Sequence, residues 1–289
     1  MPETYREAYD RGREMLLAAG IEEADTEARL VLEAACDSTF SALYATPERV
    51  LTEEEREKLR VLLDGRLKRI PLAYLTGTQE FMGLSFFVNE AVLIPRQDTE
   101  TLVEEAMPLL FDGMRFLDLC TGSGCVALSL LRYSNNTVAV ATDISEEALQ
   151  IAEKNAKALG LEERIRFLAC DLFPPLAKKP EKGYDLIMAN PPYIRAGEIG
   201  TLMPEVREHE PLTALSGGPD GLSFYRRILA LAPRYLARGA FLLTETGYDQ
   251  AETVAAMYEE AGFLHVRTHR DLNGILRVVS GAYREDRHV

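Results

Sequence analysis

Four consecutive residues, Asn190-Pro191-Pro192-Tyr193, bring together groups able to grip a flat, NH2-bearing molecule. The two prolines remove two backbone donors and fix two φ angles, leaving a stiff turn whose carbonyls are free to accept hydrogen bonds. The Asn190 amide and the Tyr193 ring flank that turn. Two acceptors, the Asn190 side-chain oxygen and the Pro191 carbonyl, suit the hydrogens of an amide or exocyclic amine while the ring stacks on its plane. Asn190, Pro191 and Tyr193 are therefore the candidate catalytic residues, and Pro192 completes the candidate substrate slot. Asn and Pro also end strands for steric reasons alone, so the string takes its meaning from its place. It follows the apolar run 185–189, which reads as a buried parallel strand, at the edge where open α/β sheets bind ligands.

A second constellation, Asp118-Leu119-Cys120-Thr121-Gly122-Ser123-Gly124-Cys125, follows another strand and opens a helix, and its glycines let the backbone approach a ligand closely. With Ala127 it also fits the dinucleotide fingerprint GxGxxA, so the loop alone does not separate a nicotinamide site from an S-adenosylmethionine site. Asp143 closes the next strand and can accept both ribose hydroxyls of an adenosine. Asp171 closes the one after, and with Leu172 and Phe173 could hold an adenine amino group and cover its ring. Three acids at successive strand ends repel a diphosphate and suit a cationic sulfonium, Asp118 acting on the cation. Each acid alone could equally be a cap or turn residue; their order along the sheet favours the ligand. The candidate cofactor set is Asp118, Cys120, Thr121, Gly122, Ser123, Gly124, Asp143, Asp171, Leu172 and Asn190.

The elements that must position these residues follow from periodicity and punctuation. Residues 4–69 read as helices only: Gly20 ends the first, Asp25 can cap the next, and Thr52 with Glu55 makes a capping box. Leu59, Leu62, Leu63 and Leu67 recur at helical spacing, which predicts a small bundle with its own core. That bundle either docks a macromolecular partner or serves as a structural cap. Residues 73–96 read as a β-hairpin linker carrying Phe81, Phe86 and Val88, after which Asp98 or Thr99 can cap a helix. From Arg115 strands are expected at 116–119, 137–142, 165–169, 185–189 and 240–244, with helices near 126–132, 146–159 and 224–236. This alternation implies a mostly parallel, Rossmann-like sheet, and the runs 263–270 and 275–280 around Asp271-Leu272-Asn273-Gly274 add an antiparallel hairpin at its edge. The expected division is 1–72, 73–96 and 97–289.

Composition narrows the classes. In 289 residues, 46 acidic against 32 basic side chains give a formal net charge of −14, and without a Lys/Arg block this demotes nucleic acid as a partner. Cys36, Cys120, Cys125 and Cys170 lack zinc-site spacing and read as buried reduced thiols of a cytosolic protein. Of His209, His265, His269 and His288, only His265 and His269 fall four apart, on one face of a predicted strand, where a surface role is expected over ligation. The expectations are no metal, no membrane segment and a cytoplasmic location.

Over about 71–279 the chain resembles the protein-(glutamine-N5) methyltransferases that modify peptide chain release factors. The resemblance rests on Tyr74-Leu75-Thr76-Gly77, Ile94-Pro95-Arg96 with Thr99-Glu100, the glycine loop, Asn190 to Tyr193, Gly217-Gly218-Pro219-Asp220-Gly221-Leu222 with Phe224-Tyr225-Arg226-Arg227, and Asp271-Leu272 with Gly274 and Arg277. The Asn-Pro-Pro-Tyr string is shared with DNA adenine and ribosomal RNA methyltransferases; the linker and the Gly217 to Arg227 segment narrow the choice to the glutamine enzymes. The resemblance implies a class I S-adenosylmethionine-dependent fold, S-adenosyl-L-methionine as cofactor with S-adenosyl-L-homocysteine as product, and methylation of the glutamine in the Gly-Gly-Gln motif of class 1 release factors. It also implies that the N-terminal helices bind the release factor. The chain departs from the family at Cys120, where glycine is common, at Thr244-Glu245-Thr246, which shifts the acid ending the fifth strand by one position, and at Leu276. Rival readings are an adenine N6 methyltransferase, which needs a phosphate track, a nicotinamide dehydrogenase, which leaves the Asn190 slot and Asp171 without a task, and a non-catalytic cofactor-binding module.

Overall fold

Thr52 and Glu55 cap one another reciprocally, as their spacing predicts, and open helix Glu53–Leu67. The computed structural model describes residues 3–175 and 182–284. Its contacts divide the chain into two units, Met1–Gly77 with Met203–His209, and Thr78–Leu202 with Glu210–Val289.

In the first unit, helices Tyr5–Ala18, Ala24–Cys36, Phe40–Ala45 and Glu53–Leu67 enclose a core that includes Leu16, Val31, Leu32, Leu59 and Leu63. Leu67 is only half-buried. The first helix also opens with a capping box, Thr4 with Glu7, and Gly20 (φ 71°) follows its last turn, donating its N–H to the Leu17 carbonyl. Asp25 is not the cap expected of it: it lies in the first turn behind Glu23 and pairs instead with Arg13 at 2.5 Å. The segment Leu72–Thr76 is a short helix after Pro71, ending at Gly77, where an extended linker was expected. Arg66, only 2% exposed, binds Glu27 at 2.9 Å and Glu205 at 3.3 Å, and Arg69 reaches the same Glu205 oxygen at 3.0 Å.

The second unit begins with an antiparallel hairpin, β1 (Thr78–Phe81) and β2 (Leu84–Phe87), whose Phe81 and Phe86 are buried in the core of that unit. Val88, expected in the strand, lies just beyond β2 and is buried. Neither Asp98 nor Thr99 caps the next helix, Gln97–Ala106; both fall within its first turn, after Arg96.

A seven-stranded sheet follows, made of β3 (Arg115–Leu119), β4 (Val138–Asp143), β5 (Ile165–Ala169), β6 (Tyr184–Ala189), β7 (Leu236–Glu245), β8 (Leu264–Arg270) and β9 (Leu276–Ala282), in the order β5-β4-β3-β6-β7-β9-β8. The first five are parallel to one another, while β9 runs antiparallel to β7 and to β8. Two apolar clusters cover the sheet, and strands buried on both faces read as continuous Leu, Ile and Ala runs, Leu186 to Ala189 in β6 among them. The order reverses between β3 and β6, which places a crevice at their carboxyl ends. Among the described residues no helix is long and apolar enough to cross a membrane.

Candidate active site

The carboxyl ends of β3, β4, β5 and β6 open on a cavity of about 370 Å3. Nine of the ten expected cofactor residues, Asp118, Cys120, Thr121, Gly122, Ser123, Asp143, Asp171, Leu172 and Asn190, line it, and Pro192 joins them. Gly124, the cap of helix Cys125–Tyr133, is not among the lining residues, although Ser123 and Cys125 on either side of it are.

The glycine loop is shaped by its acids. The Thr121 hydroxyl donates to Asp118 at 2.6 Å. Asp143 accepts from the Gly122 N–H at 2.9 Å and the Ser145 N–H at 3.0 Å. Each carboxylate oxygen of Asp143 therefore holds one backbone donor and keeps lone-pair capacity for a ligand. Burial pushes Asp118, 1% exposed, up to about 7, with neighbouring Asp143 adding to the rise and the Thr121 hydroxyl opposing it; burial also raises Asp143. An acid in such surroundings is stabilised in its ionised form by an incoming cation.

Cys120 has φ 57°, the left-handed region that glycine enters without strain. The departure from glycine at that position thus keeps the backbone shape at the cost of local strain, and the thiol, pushed well up by burial, is chemically quiet. Leu172 is also left-handed, at φ 63°, and its carbonyl accepts the Thr142 hydroxyl at 2.6 Å. Asp171 is exposed and holds Arg227 at 2.6 Å, both on the cavity wall. Phe173 does not cover the cavity: it stacks on Tyr235 with centroids 4.5 Å apart.

The proline turn divides into a front and a back. Asn190 and Pro192 face the cavity, whereas Pro191 and Tyr193 are not among its lining residues. The Asn190 Nδ2 donates to Thr99 Oγ1 at 3.2 Å, which turns Oδ1 the opposite way on the amide plane. Tyr193, expected to offer its ring as a stacking face, donates its hydroxyl to Glu245 Oε1 at 3.2 Å and accepts Gln250 Nε2 on its carbonyl at 2.9 Å. It braces the turn from behind.

The segment Gly217 to Gly221 explains itself against that turn. A Cβ at Gly217 would stand 2.7 Å from Tyr193 Cα, and one at Gly221 would stand 2.4 Å from the Tyr193 carbonyl oxygen. Backbone packs on backbone here, which only glycine permits.

Several residues not among the expected site residues stand in or beside the cavity. Pro95, Arg96 and Thr99 line the cavity, and Arg96 is paired with buried Glu210. Glu245, at the end of β7, is 1% exposed, so the one-position shift of that acid places it behind the proline turn and not in solvent. Arg277 is buried beside Asp98 at 2.9 Å and Asp271 at 3.3 Å, and Leu276 packs on the apolar core without a polar role. The signal for Pro95, Arg96 and Thr99 was the Ile94-Pro95-Arg96 string itself, placed just before a helix. Asn155 offered none: buried at 1%, it accepts from the Phe87 N–H at 2.7 Å and donates to the carbonyls of Phe87 and Ser123, tying β2 to the glycine loop.

One histidine expectation changes. A bulge at His265 (φ 54°) breaks the alternation of β8, so the even spacing to His269 does not place the pair on one face; His269 binds Glu105 and Ser280. His288 lies outside the described residues. All four cysteines are free, but only Cys125 is fully buried. Among the described residues no group of three or more His, Cys, Asp or Glu could hold a metal.

A sheet of this order, with acids at three successive strand ends around a cavity at the switch point, defines a Rossmann-like methyltransferase of the S-adenosylmethionine-dependent class. The donor set fits that cofactor: a carboxylate at the end of β4 suits the ribose hydroxyls, and a buried acid in the wall suits a cation. Comparison with known proteins agrees. The PrmC N-terminal domain family matches residues 7–77, and the Methyltransferase small domain family matches residues 97–205. The release factor glutamine methyltransferase of Geobacter sulfurreducens is 42% identical over 278 residues, with 96% of each chain covered. That of Bradyrhizobium diazoefficiens is 40% identical, covering 92% of this chain and 90% of the relative. A methyltransferase from Pyrococcus furiosus, 16% identical with a TM-score of 0.53, covers 80% of this chain and 99% of its own and shares the fold. The chain belongs to the release factor glutamine methyltransferase family.

Proposed function

We propose that the protein transfers a methyl group from S-adenosyl-L-methionine to the side-chain amide nitrogen (N5) of the glutamine in the Gly-Gly-Gln motif of class 1 peptide chain release factors. The observation that carries this reading is the committed orientation of Asn190, whose Nδ2 is taken by Thr99 so that its oxygen is the group left for a substrate amide. Family membership supports the choice of glutamine over an adenine base.

Among the lining residues, Asp143 would hold the ribose, Asp118 the cationic end and the Asp171–Leu172 turn the adenine, with the Thr121 to Ser123 segment beside them. When bound, the cofactor supplies an electrophilic methyl group on a sulfonium. An amide nitrogen is a poor nucleophile because its lone pair is delocalised into the carbonyl, so the protein's task is orientation and charge stabilisation. The Asn190 Oδ1 accepts one amide hydrogen. The Pro191 carbonyl, on the peptide unit joining it to the wall residue Pro192, accepts the other. Both acceptors strengthen as the nitrogen becomes positive, which favours the transition state over the ground state. The stiffness of two prolines keeps these acceptors from reorganising. No base need act in advance; the proton leaves after transfer. Release factors act in the cytoplasm, where the enzyme would meet them.

Asn190→Ala tests the reading. Turnover on a release factor is expected to fall by roughly 100-fold or more while S-adenosyl-L-homocysteine still binds in calorimetry. Near-normal turnover by that variant would remove the mechanism.

A further inference from the structure

We propose that Gln250 is a positioning residue for methyl transfer: its side-chain amide clasps the Tyr193 carbonyl and so holds the proline turn where Asn190 and Pro191 grip the substrate, a role that rests on the function argued above for that turn.

Two prolines fix φ at positions 191 and 192, but they leave open the direction in which the chain leaves the turn. That direction is set at the next two residues. The Tyr193 carbonyl accepts Gln250 Nε2 at 2.9 Å, and the Tyr193 hydroxyl donates to Glu245 Oε1 at 3.2 Å. Ile194 then donates its N–H to the Leu215 carbonyl at 3.0 Å and accepts the Gly217 N–H at 2.8 Å. Glu245 ends β7 and Gln250 directly precedes helix Ala251–Glu260, so one connection holds Tyr193 by hydroxyl and carbonyl alike.

The Gln250 amide is itself fixed. Its Oε1 accepts the Gly247 N–H at 3.1 Å, while its backbone N–H donates to the Gly247 carbonyl at 3.0 Å. A backbone N–H only donates and a backbone carbonyl only accepts, so one orientation of the amide satisfies both Gly247 and Tyr193. Gln250 is 3% exposed and wedged between two glycines. A Cβ at Gly221 would stand 2.5 Å from its Nε2, and one at Gly247 would stand 3.0 Å from its Oε1.

Removing the Gln250 donor leaves the Tyr193 carbonyl without the partner the fold supplies, and the peptide units next to the turn are free to rotate. The Pro191 carbonyl and the Asn190 amide, two and three residues upstream, move with them. Displacing such acceptors by about 1 Å is enough to cost on the order of 100-fold in transfer. The cofactor wall is built separately, from the ends of β3, β4 and β5, so its affinity for the cofactor does not depend on the clasp.

Two variants test this. Gln250→Glu has the same shape, keeps an acceptor for Gly247 and removes the donor; Gln250→Met, neutral and of similar length, removes both. Each is compared with the wild type in kcat and KM on a release factor and in affinity for S-adenosyl-L-homocysteine by calorimetry. The Tyr193 carbonyl is followed by NMR after labelling tyrosine with carbonyl 13C and isoleucine with 15N, which selects one signal because Tyr193-Ile194 is the only Tyr-Ile pair in the chain. In both variants kcat should fall roughly 10- to 100-fold, with KM and cofactor affinity within about threefold. The carbonyl signal of Gln250→Met should move upfield as its hydrogen bond is lost. Should Gln250→Glu not fold, Gln250→Met carries the same readings. A kcat within about twofold of wild type in Gln250→Met, or an unmoved carbonyl signal, overturns the proposal. So does a loss shared equally by cofactor affinity, which marks general damage to the fold. A wild type that methylates no release factor refutes the substrate reading instead, and the carbonyl signal then decides the clasp alone: moved in Gln250→Met it stands, unmoved it falls.

Discussion

Asp118 is the residue whose electrostatics most directly bear on the cofactor. Buried and raised to about 7, it is half-protonated near neutral pH and becomes an anion as the pH climbs. Affinity for cationic S-adenosyl-L-methionine should therefore increase by a few-fold up to about tenfold between pH 6 and pH 8. Calorimetry at the two pH values checks this, and an equal increase in Asp118→Asn would contradict it. The same shift carries a stability cost of defined sign. A carboxyl whose folded value lies above its ordinary value of 3.8 binds its proton more tightly when folded. Its stabilising contribution is complete at low pH and is lost as the pH rises from that ordinary value to about 7. Asp118→Asn should flatten the corresponding decline of Tm, whereas a wild-type Tm that rises over the same window in step with the variant's would refute it.

At the scale of elements, the proline turn works because a glycine segment presses on it from behind. Gly217→Ala would set a methyl group 2.7 Å from Tyr193 Cα, and backbone, unlike a side-chain tip, cannot swing aside. The variant should lose about 1–3 kcal/mol in urea unfolding and most of its turnover, with cofactor affinity retained. Wild-type stability and turnover would show that the contact is dispensable. How far these elements could be read from the residues depends on how local their causes are. Strand β5 and helix Glu146–Leu159 fall on the expected 165–169 and 146–159 because their signals are local, the helix being bounded by the Ser145 cap and by Gly160 directly on either side. Strand β7 begins at Leu236, not at 240, because a register irregularity in its pairing with β6 and the exposed Arg238-Gly239 pair hide its first half. Helices Leu72–Thr76, Pro204–His209 and Leu212–Leu215 are too short to show a period. In the site, the acids at strand ends were legible because strand ends are. The anchoring of the Tyr193 hydroxyl was not legible because its partner, Glu245, lies fifty-two positions away, and that contact is set by tertiary packing that no local spacing records.

On the scale of the whole molecule, a net charge of −14 and a separate helical unit match a protein substrate better than a phosphate backbone. We propose that the helices of the first unit dock the release factor while the cavity of the second performs transfer. Deleting residues 1–70 should then raise KM for an intact release factor more than for a short Gly-Gly-Gln peptide. Because Glu205 loses Arg66 and Arg69 in that deletion, Glu205→Gln is introduced with it to avoid an orphaned carboxylate. Equal losses on both substrates would argue against docking. The proposed reaction is defined by the identity of the methylated atom. Mass spectrometry of a class 1 release factor incubated with the enzyme and S-adenosyl-L-methionine should place a single added methyl group on the Gly-Gly-Gln glutamine side chain, and an unmodified glutamine, with methyl label found on nucleic acid instead, would contradict it.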